Sequence, residues 1–454
     1  MSFVSEQISW VQQYEVGGTR ASEITASVEA AIGSGRLAPG APLPTVRDLA
    51  AELGVNPNTA ASAYRLLRDR GTIETLGRQG SRVRHRPATS PAGHDLILPP
   101  GTTGLFIGDP DPNLLPELKV RQPFTPRGYN GQHTDPELRR QMEALLAADG
   151  VPSDHLTCVF GALDGIDRVL STRLRPGDAV AVEDPGWAHV LDLLAAHNLK
   201  PAPVGVDDDG PNPADLDEAL RAGARAFITT TRAQNPYGSM TTAARERELR
   251  AVLAEHPRVL TIDDDHGADL SPGPARTLTG ATDHWAYLRS ASKAYGPDLR
   301  IAVLAADATT FDLVAGRLHH TSRFVSHLIQ GVWADAIGDP VVAAAIRRAT
   351  AAYDERRRAL MDALAEHGIR AHGRTGLNVW VPVADESAAL SALLAAGYAA
   401  APGAWFRQRS APGLRVTVAT LDPGQAGAVA GALAAVAGPG GAGVRRESGR
   451  GGAI

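Results

Sequence analysis

Residues 22–33 carry Ile24, Val28, Ala31 and Ile32 at three- and four-residue intervals, a spacing that predicts a helix with one apolar face ended by Gly33 and Gly35. In LPTVRDLAAELG, Thr45 can cap a second helix, with Asp48 three residues on in a capping-box-like relation. Val46, Leu49, Ala50 and Leu53 form its inner face, and Gly54 suits the C-terminal position that needs a positive φ. A third helix begins two residues later, with Asn56 as N-cap and Pro57 at the first helical position. Its Ala60, Ala63, Tyr64 and Leu67 share one face; Asn58, Ser62 and Arg65, with Thr59 beside them, share another. After Gly71, TIETL and SRVRH alternate as two short strands around the turn GRQG.

The pattern then changes. RHRPATSPAGHDLILPPGTTG is rich in Pro, Gly, Ser and Thr, lacks helical periodicity and reads as an extended connector. Beyond it, strand candidates AVAVE (179–183), AFITTT (226–231), RVLTID (258–263), WAYLRS (285–290) and RIAVLA (300–305) are interspersed with helical runs. This predicts an α/β domain with a mostly parallel sheet, where ligands sit beyond the carboxyl ends of the strands. The expected organisation is a small head of helices and a two-stranded wing at 1–86, a linker at 87–104, and a body at 105–437. The body splits into a large part near 120–320 and a small α+β part near 325–437. The Gly- and Arg-rich 438–454 is expected to be a disordered tail.

Composition sharpens this. A chain of 454 residues with 43% hydrophobic and 21% charged positions can build several globular domains. The single cysteine, Cys158, excludes a disulfide within the chain and a Cys-based zinc site. No apolar run long enough to span a bilayer and no basic-then-apolar leader is present, so the expectation is a cytoplasmic protein with no membrane association. The net charge of −5 argues against a general nucleic-acid binder, but it is unevenly spread. Residues 64–86 hold seven Arg against Asp69 and Glu74, whereas the 368 residues after position 86 are acidic on balance. A small basic module attached to a larger acidic one follows.

The polar face of the third helix, short donors plus an arginine, suits the edges of bases in a major groove. Asn58, Thr59, Ser62 and Arg65 are the base-reading candidates, and Arg47, Arg78 and Arg82 the phosphate-contact candidates on double-stranded DNA. The stretch GRLAPGAPLPTVRDLAAELGVNPNTAASAYRLLRDRGTIETLGRQGSRV resembles the GntR-type winged helix-turn-helix almost throughout.

Candidate chemistry gathers at the strand ends of the body. In SASKAYGPDLR, Lys293 stands near Ser290, Ser292 and Arg300. A lysine amine whose pKa is lowered can form a Schiff base with an aldehyde, and the hydroxyls and guanidinium suit a phosphate. In LTIDDDHG, three consecutive Asp call for a cation, either a Mg²⁺ ion or a protonated ring nitrogen of the pyridoxal phosphate type. Alternation puts Asp264 on one face and Asp263 and Asp265 on the other. Asn235 on the turn after AFITTT can bond a phenolate oxygen, the helix starting near Ala162 offers amides to a phosphate, and Trp187 can stack on a flat ring.

As an ordered set, roughly residues 105–437 resemble fold type I aminotransferases, S-x-S-K…P-x-L-R being the most specific part. A GntR-type head joined to such a domain resembles the MocR subfamily of bacterial regulators. The resemblance implies pyridoxal 5′-phosphate (PLP) as cofactor, with Lys293 as the Schiff-base lysine and Asp264 paired with the pyridine nitrogen. It implies Asn235 at the 3′ oxygen, Trp187 on the ring face, and the Ala162 and Leu163 amides, Ser290, Ser292 and Arg300 at the phosphate. Tyr129 matches a tyrosine that reaches the phosphate across a homodimer interface, and Arg415 an arginine that takes an effector or substrate carboxylate. His266 stands where many relatives have tyrosine, and Thr134 where they often have glycine. Asp263 leaves a one-residue ambiguity about the ring partner, with Asp264 preferred. The implied function is transcriptional regulation, with an amino compound or PLP itself sensed through an aldimine at Lys293. The alternatives are an aminotransferase acting on an amino acid and a DNA-binding scaffold whose body takes no cofactor.

Overall fold

A computed structural model of the protein describes residues 9–33, 36–38, 40–69, 72–75, 80–83, 98–120, 124–271, 273 and 275–437. The chain divides into two compact units. One comprises residues up to Leu96 together with Arg175–Asp178 and Leu194–Lys200; the other holds the remainder.

In the head, α1 (Trp10–Tyr14) precedes three helices at the expected places: α2 (Ala21–Gly33), α3 (Val46–Leu53) and α4 (Pro57–Asp69). Thr45 Oγ1 accepts from the Asp48 amide at 3.2 Å and donates to the Asp48 carboxylate at 2.7 Å, so the shorter acid closes the cap through the hydroxyl. Gly54 takes φ 65° at the end of α3, and Asn56 Oδ1 accepts from the Asn58 amide at 2.8 Å. Ile24, Val28, Ala31, Leu49, Ala60, Ala63 and Leu67 are buried together, each large aliphatic side chain among them contributing about 1.5–3 kcal/mol. Tyr64 joins them and donates to the Pro44 carbonyl at 2.6 Å. Strands β1 (Ile73–Thr75) and β2 (Ser81–Val83) pair antiparallel as the expected wing. The sequence pattern missed α1, whose five residues are too few to show a period.

In the body, β3 (Thr103–Leu105) starts inside the segment read as connector, because it pairs parallel with a strand of the small sheet. The large sheet is built from β4 (Leu156–Val159), β5 (Ala179–Asp184), β6 (Lys200–Asp207), β7 (Gly210–Pro211), β8 (Ala224–Thr229), β9 (Leu260–Asp265), β10 (His284–Ser290) and β11 (Ala302–Ala306). Its order is β4-β11-β10-β9-β8-β5-β6-β7. β5, β8, β9 and β10 run parallel, and β11 is antiparallel to both β10 and β4, so the sheet is mixed. Strand β11 is buried along its whole length, and β8 and β10 at every position but Arg225 and His284, which is why they read as largely apolar runs. A four-stranded sheet, β12 (Asn378–Pro382)-β14 (Gly413–Thr417)-β13 (Tyr398–Pro402)-β3, packs with helices Pro340–Glu366 and Ala426–Ala437 around a separate apolar core. Among the described residues no helix is long and apolar enough to cross a membrane.

Candidate functional site

On the head, the apolar face of α4 is consumed by packing, which leaves the other face outward. Asn58 and Arg65 are exposed there and Thr59 and Ser62 half-buried. Arg47 is exposed on α3 and Arg82 half-buried on β2; Arg78 lies outside the described residues.

In the body, a cavity of about 630 Å³ is bounded by residues that directly follow the carboxyl ends of β4, β5, β8, β9 and β10. Ala162, Leu163, Trp187, Asn235, His266, Ser290, Ser292, Lys293 and Arg300 line it. Asp264 and Trp187 line a small separate recess, and Asp264 Oδ2 lies 2.9 Å from His266 Nδ1. Tyr129 is not brought to this wall. It is 71% exposed and sits beside Phe324, under the Arg323 guanidinium. Thr134 is buried and lines a second cavity of about 350 Å³ with His133, Arg139 and Arg323.

Lys293 is one of only three lysines in a chain that otherwise uses arginine. Its Nζ donates to the Gly108 carbonyl at 2.6 Å and lies 3.8 Å from Asp109. Burial lowers its pKa, with Arg415 and Arg300 adding to the effect and Asp109 opposing it. An arginine here could not supply a neutral nucleophilic amine. Arg415 is buried; burial brings its pKa down to about 10, so it stays charged. It donates to Asn235 Oδ1 at 3.1 Å and to the Phe106 carbonyl, and it stacks over the Phe406 ring at 4.7 Å. A Cβ on Gly108 would approach Arg415 Nη1 to 3.3 Å, so glycine lets the segment Phe106–Asp109 lie against the guanidinium.

The three acids of β9 have separate fates. Asp265 pairs with Arg232, whose Nε and Nη2 reach it at 2.6–3.0 Å, and accepts from the Tyr287 hydroxyl. Arg232 also bonds Asp149 at 2.8 Å, and Arg289 ties Asp149 to Asp269. The cation the triad calls for is therefore an arginine; among the described residues no acid and histidine cluster could hold a metal. Asp263 is buried on the same face as Asp265, and burial followed by Asp265 pushes its carboxyl well above the usual range. Asp264, on the cavity side, keeps one buried oxygen, Oδ1, without a hydrogen-bond partner.

For His266, burial disfavours the charged form, but Asp264 outweighs it and the pKa is raised above 6.5. A raised folded pKa stabilises the protein below the unfolded pKa, and that contribution is lost as pH rises through the folded value. His266→Gln should therefore cost more stability at pH 5.5 than in alkaline buffer, by about 1–2 kcal/mol for a charged hydrogen bond. Unfolding curves of both proteins across pH test this; a difference independent of pH contradicts it.

Several site residues carried no sequence signal of their own. Gly108 and Asp109 lie in an extended segment without periodicity. Glu183 is buried and accepts from Thr229 Oγ1, the Thr230 amide and Gln234 Nε2 at 2.8–2.9 Å, linking the loop of Trp187 to the loop of Asn235. Burial raises its pKa to about 7. Asp184 accepts from the amides of Gln408, Arg409 and Ser410, each at 2.8 Å, and so ties the large part of the body to the small part beside the cavity. The pairing that positions these acids is nonlocal, which periodicity cannot report.

The donor set fits PLP. A partnerless buried carboxylate oxygen suits a pyridinium N–H. The helix Ala162–Arg173 begins at Gly161, with φ 94° and no side-chain cap. A Cβ on Gly161 would come within 3.2 Å of Arg300 Cδ, so glycine keeps the space between the uncapped helix start and the guanidinium open to an anion.

Comparison with known proteins agrees with both halves. Residues 113–433 match the family described as aminotransferase class I and II, and residues 20–83 match bacterial regulatory proteins of the gntR family. The chain is 37% identical to the vitamin B6 salvage pathway transcriptional repressor PtsJ of Salmonella typhimurium, over 90% of this chain and 96% of that protein. It is 24% identical to the pyridoxine biosynthesis transcriptional regulator PdxR of Corynebacterium glutamicum, over 76% of this chain and 79% of the relative. Among solved structures, kynurenine aminotransferase from Pyrococcus horikoshii shares the fold with a TM-score of 0.67 at 21% identity, over 74% of this chain and 90% of that one.

Proposed function

The chain belongs to the aminotransferase class I and II family and carries a gntR-family DNA-binding module, and on that footing we propose that it is a transcriptional regulator that holds PLP covalently at Lys293. Its relatives include the transcriptional regulators PtsJ, MocR and PdxR. The observation that carries the reading is Lys293 itself, an amine of lowered pKa facing a cavity whose lining residue His266 is bonded to Asp264, a carboxylate with one partnerless oxygen, in a chain that also presents a helix with an exposed polar face. The sensed ligand is PLP or a small amino compound bound beside it; the vitamin B6 roles named for the relatives favour PLP.

When bound, PLP supplies an aldehyde that condenses with an amine and a ring that draws electrons from the product. The residues of the chain do the rest. Asp264 would keep the ring nitrogen protonated, with His266 steadying its other oxygen. Arg300, Ser290, Ser292 and the amides of Ala162 and Leu163 would hold the phosphate. Trp187 would stack on the ring and Asn235, which accepts from Arg415, would meet the 3′ oxygen. Lys293 would give up its bond to the Gly108 carbonyl, and Arg415 would exchange Phe106 or Asn235 for a ligand carboxylate. Occupancy would thereby loosen the hold on Phe106–Asp109, the segment that follows the connector in sequence, and this would be the route to DNA binding.

The protein acts as a homodimer in this reading. Tyr129, exposed on a single chain, would complete the phosphate site of the partner. In the head, Arg65 should read the operator. Arg65→Ala should weaken operator binding by about 1–3 kcal/mol, tenfold or more, and leave the PLP absorbance band in place. Fluorescence anisotropy on fragments selected from the genome tests this; unchanged affinity counts against the assigned face. A second reading, an aminotransferase, is favoured by Arg415 lying beside Asn235 and by a lysine able to carry a proton. Multiple turnovers of keto acid without sequence-specific DNA binding would establish it instead.

A further inference from the structure

Asp109 sits at the mouth of the cavity, in the segment between β3 and the turn Pro112–Leu114. Its side chain is 59% exposed, with one carboxylate oxygen 3.8 Å from Lys293 Nζ. It is also the charged group that supports protonation of Arg415. Another acid of the wall, Asp164, is already engaged by Arg168 at 2.8 Å and by the Phe160 amide at 3.0 Å. While an amino acid docks, before any exchange at the cofactor, Nζ would still be held in its bond to PLP and Arg415 would turn to the ligand carboxylate. Asp109, 59% exposed, would then be the acid nearest the rest of the docking ligand.

We propose that Asp109 is a specificity-determining residue of this pocket, selecting amino acids with a cationic side chain and rejecting acidic ones. The inference rests on the PLP reading above and deepens it by naming the effector class. A negative charge at the mouth attracts a side-chain ammonium and repels a second carboxylate, so attraction and repulsion act in the same direction on the choice. Because the position is half open to solvent, the discrimination is moderate.

The test uses full-length protein loaded with PLP, wild type and Asp109→Asn, with the cofactor absorbance band followed during titration. The probes are L-ornithine and L-glutamate, of equal chain length and opposite terminal charge, with L-glutamine as the neutral reference. In wild type, ornithine should bind about tenfold or more tightly than glutamate. In Asp109→Asn that ratio should fall towards one, through weaker ornithine and stronger glutamate binding, with glutamine little changed. A ratio near one in wild type, the same ratio in both proteins, or no response of the loaded band to any probe overturns the proposal while leaving the PLP reading intact. Failure of wild type to take PLP at Lys293 overturns both, and is recognised separately by the absence of the band before any amino acid is added.

Discussion

Arg232→Leu should destabilise the body by about 3–5 kcal/mol, the cost of stranding a buried carboxylate. Asp265 has no solvent exposure and takes the Arg232 guanidinium through Nε and Nη2 at 2.6–3.0 Å. Without it, Asp265 keeps the Tyr287 hydroxyl but no adjacent guanidinium, and Asp149 keeps only Arg289 of the two that hold it. Leucine fills part of the space and offers no donor. Arg232→Lys should lose less, since it restores the charge without the planar fork that spans Asp265 and Asp149. Asp265 adjoins Asp264, so the same change should loosen the ring-nitrogen carboxylate. Denaturant unfolding measures the effect; a loss below about 1 kcal/mol for Arg232→Leu would mean the network is not what holds the end of β9.

Lys293→Ala should abolish the PLP absorbance band and make operator binding indifferent to PLP. The chain has only two other lysines. Lys119 has 80% of its side chain exposed and faces Asp339, and Lys200 is exposed at the start of β6. Neither lines the cavity, so neither can take over the bond. Without Nζ, PLP is left with the noncovalent contacts of Asp264, Arg300 and the helix start, and the Gly108 carbonyl loses its donor whether or not ligand is present. Spectra and operator titrations with and without PLP test this. A PLP-dependent change in DNA affinity that survives in Lys293→Ala would separate sensing from the lysine.

Much of the fold and of the site is legible in the sequence. The head was readable because its signals are local: Thr45, Gly54, Asn56 and Pro57 punctuate helices within a few residues of the pattern they bound. The five strand candidates of the large sheet correspond to β5, β8, β9, β10 and β11, with ends shifted by up to two residues in either direction. The short β4 and the strands of the small sheet were not noticed, since four or five residues at a sheet edge or in an antiparallel layer leave little period to see. Asp264 and Lys293 stood out because each followed a strand and matched a family pattern. Asp109, Glu183 and Arg232 did not, because what each does depends on partners far along the chain: 184 residues separate Asp109 from Lys293, and Arg232 meets Asp265 only through the neighbouring strand. Alternation did assign the faces of β9 correctly, with Asp264 towards the cavity and Asp265 towards Arg232.

The most direct measurement is reduction of the PLP-saturated, folded protein with borohydride, followed by digestion and mass analysis of the three lysine-containing regions. A phosphopyridoxyl increment on the peptide that holds Lys293, absent from those of Lys119 and Lys200, is the result expected. An unmodified Lys293 peptide from saturated protein would contradict it.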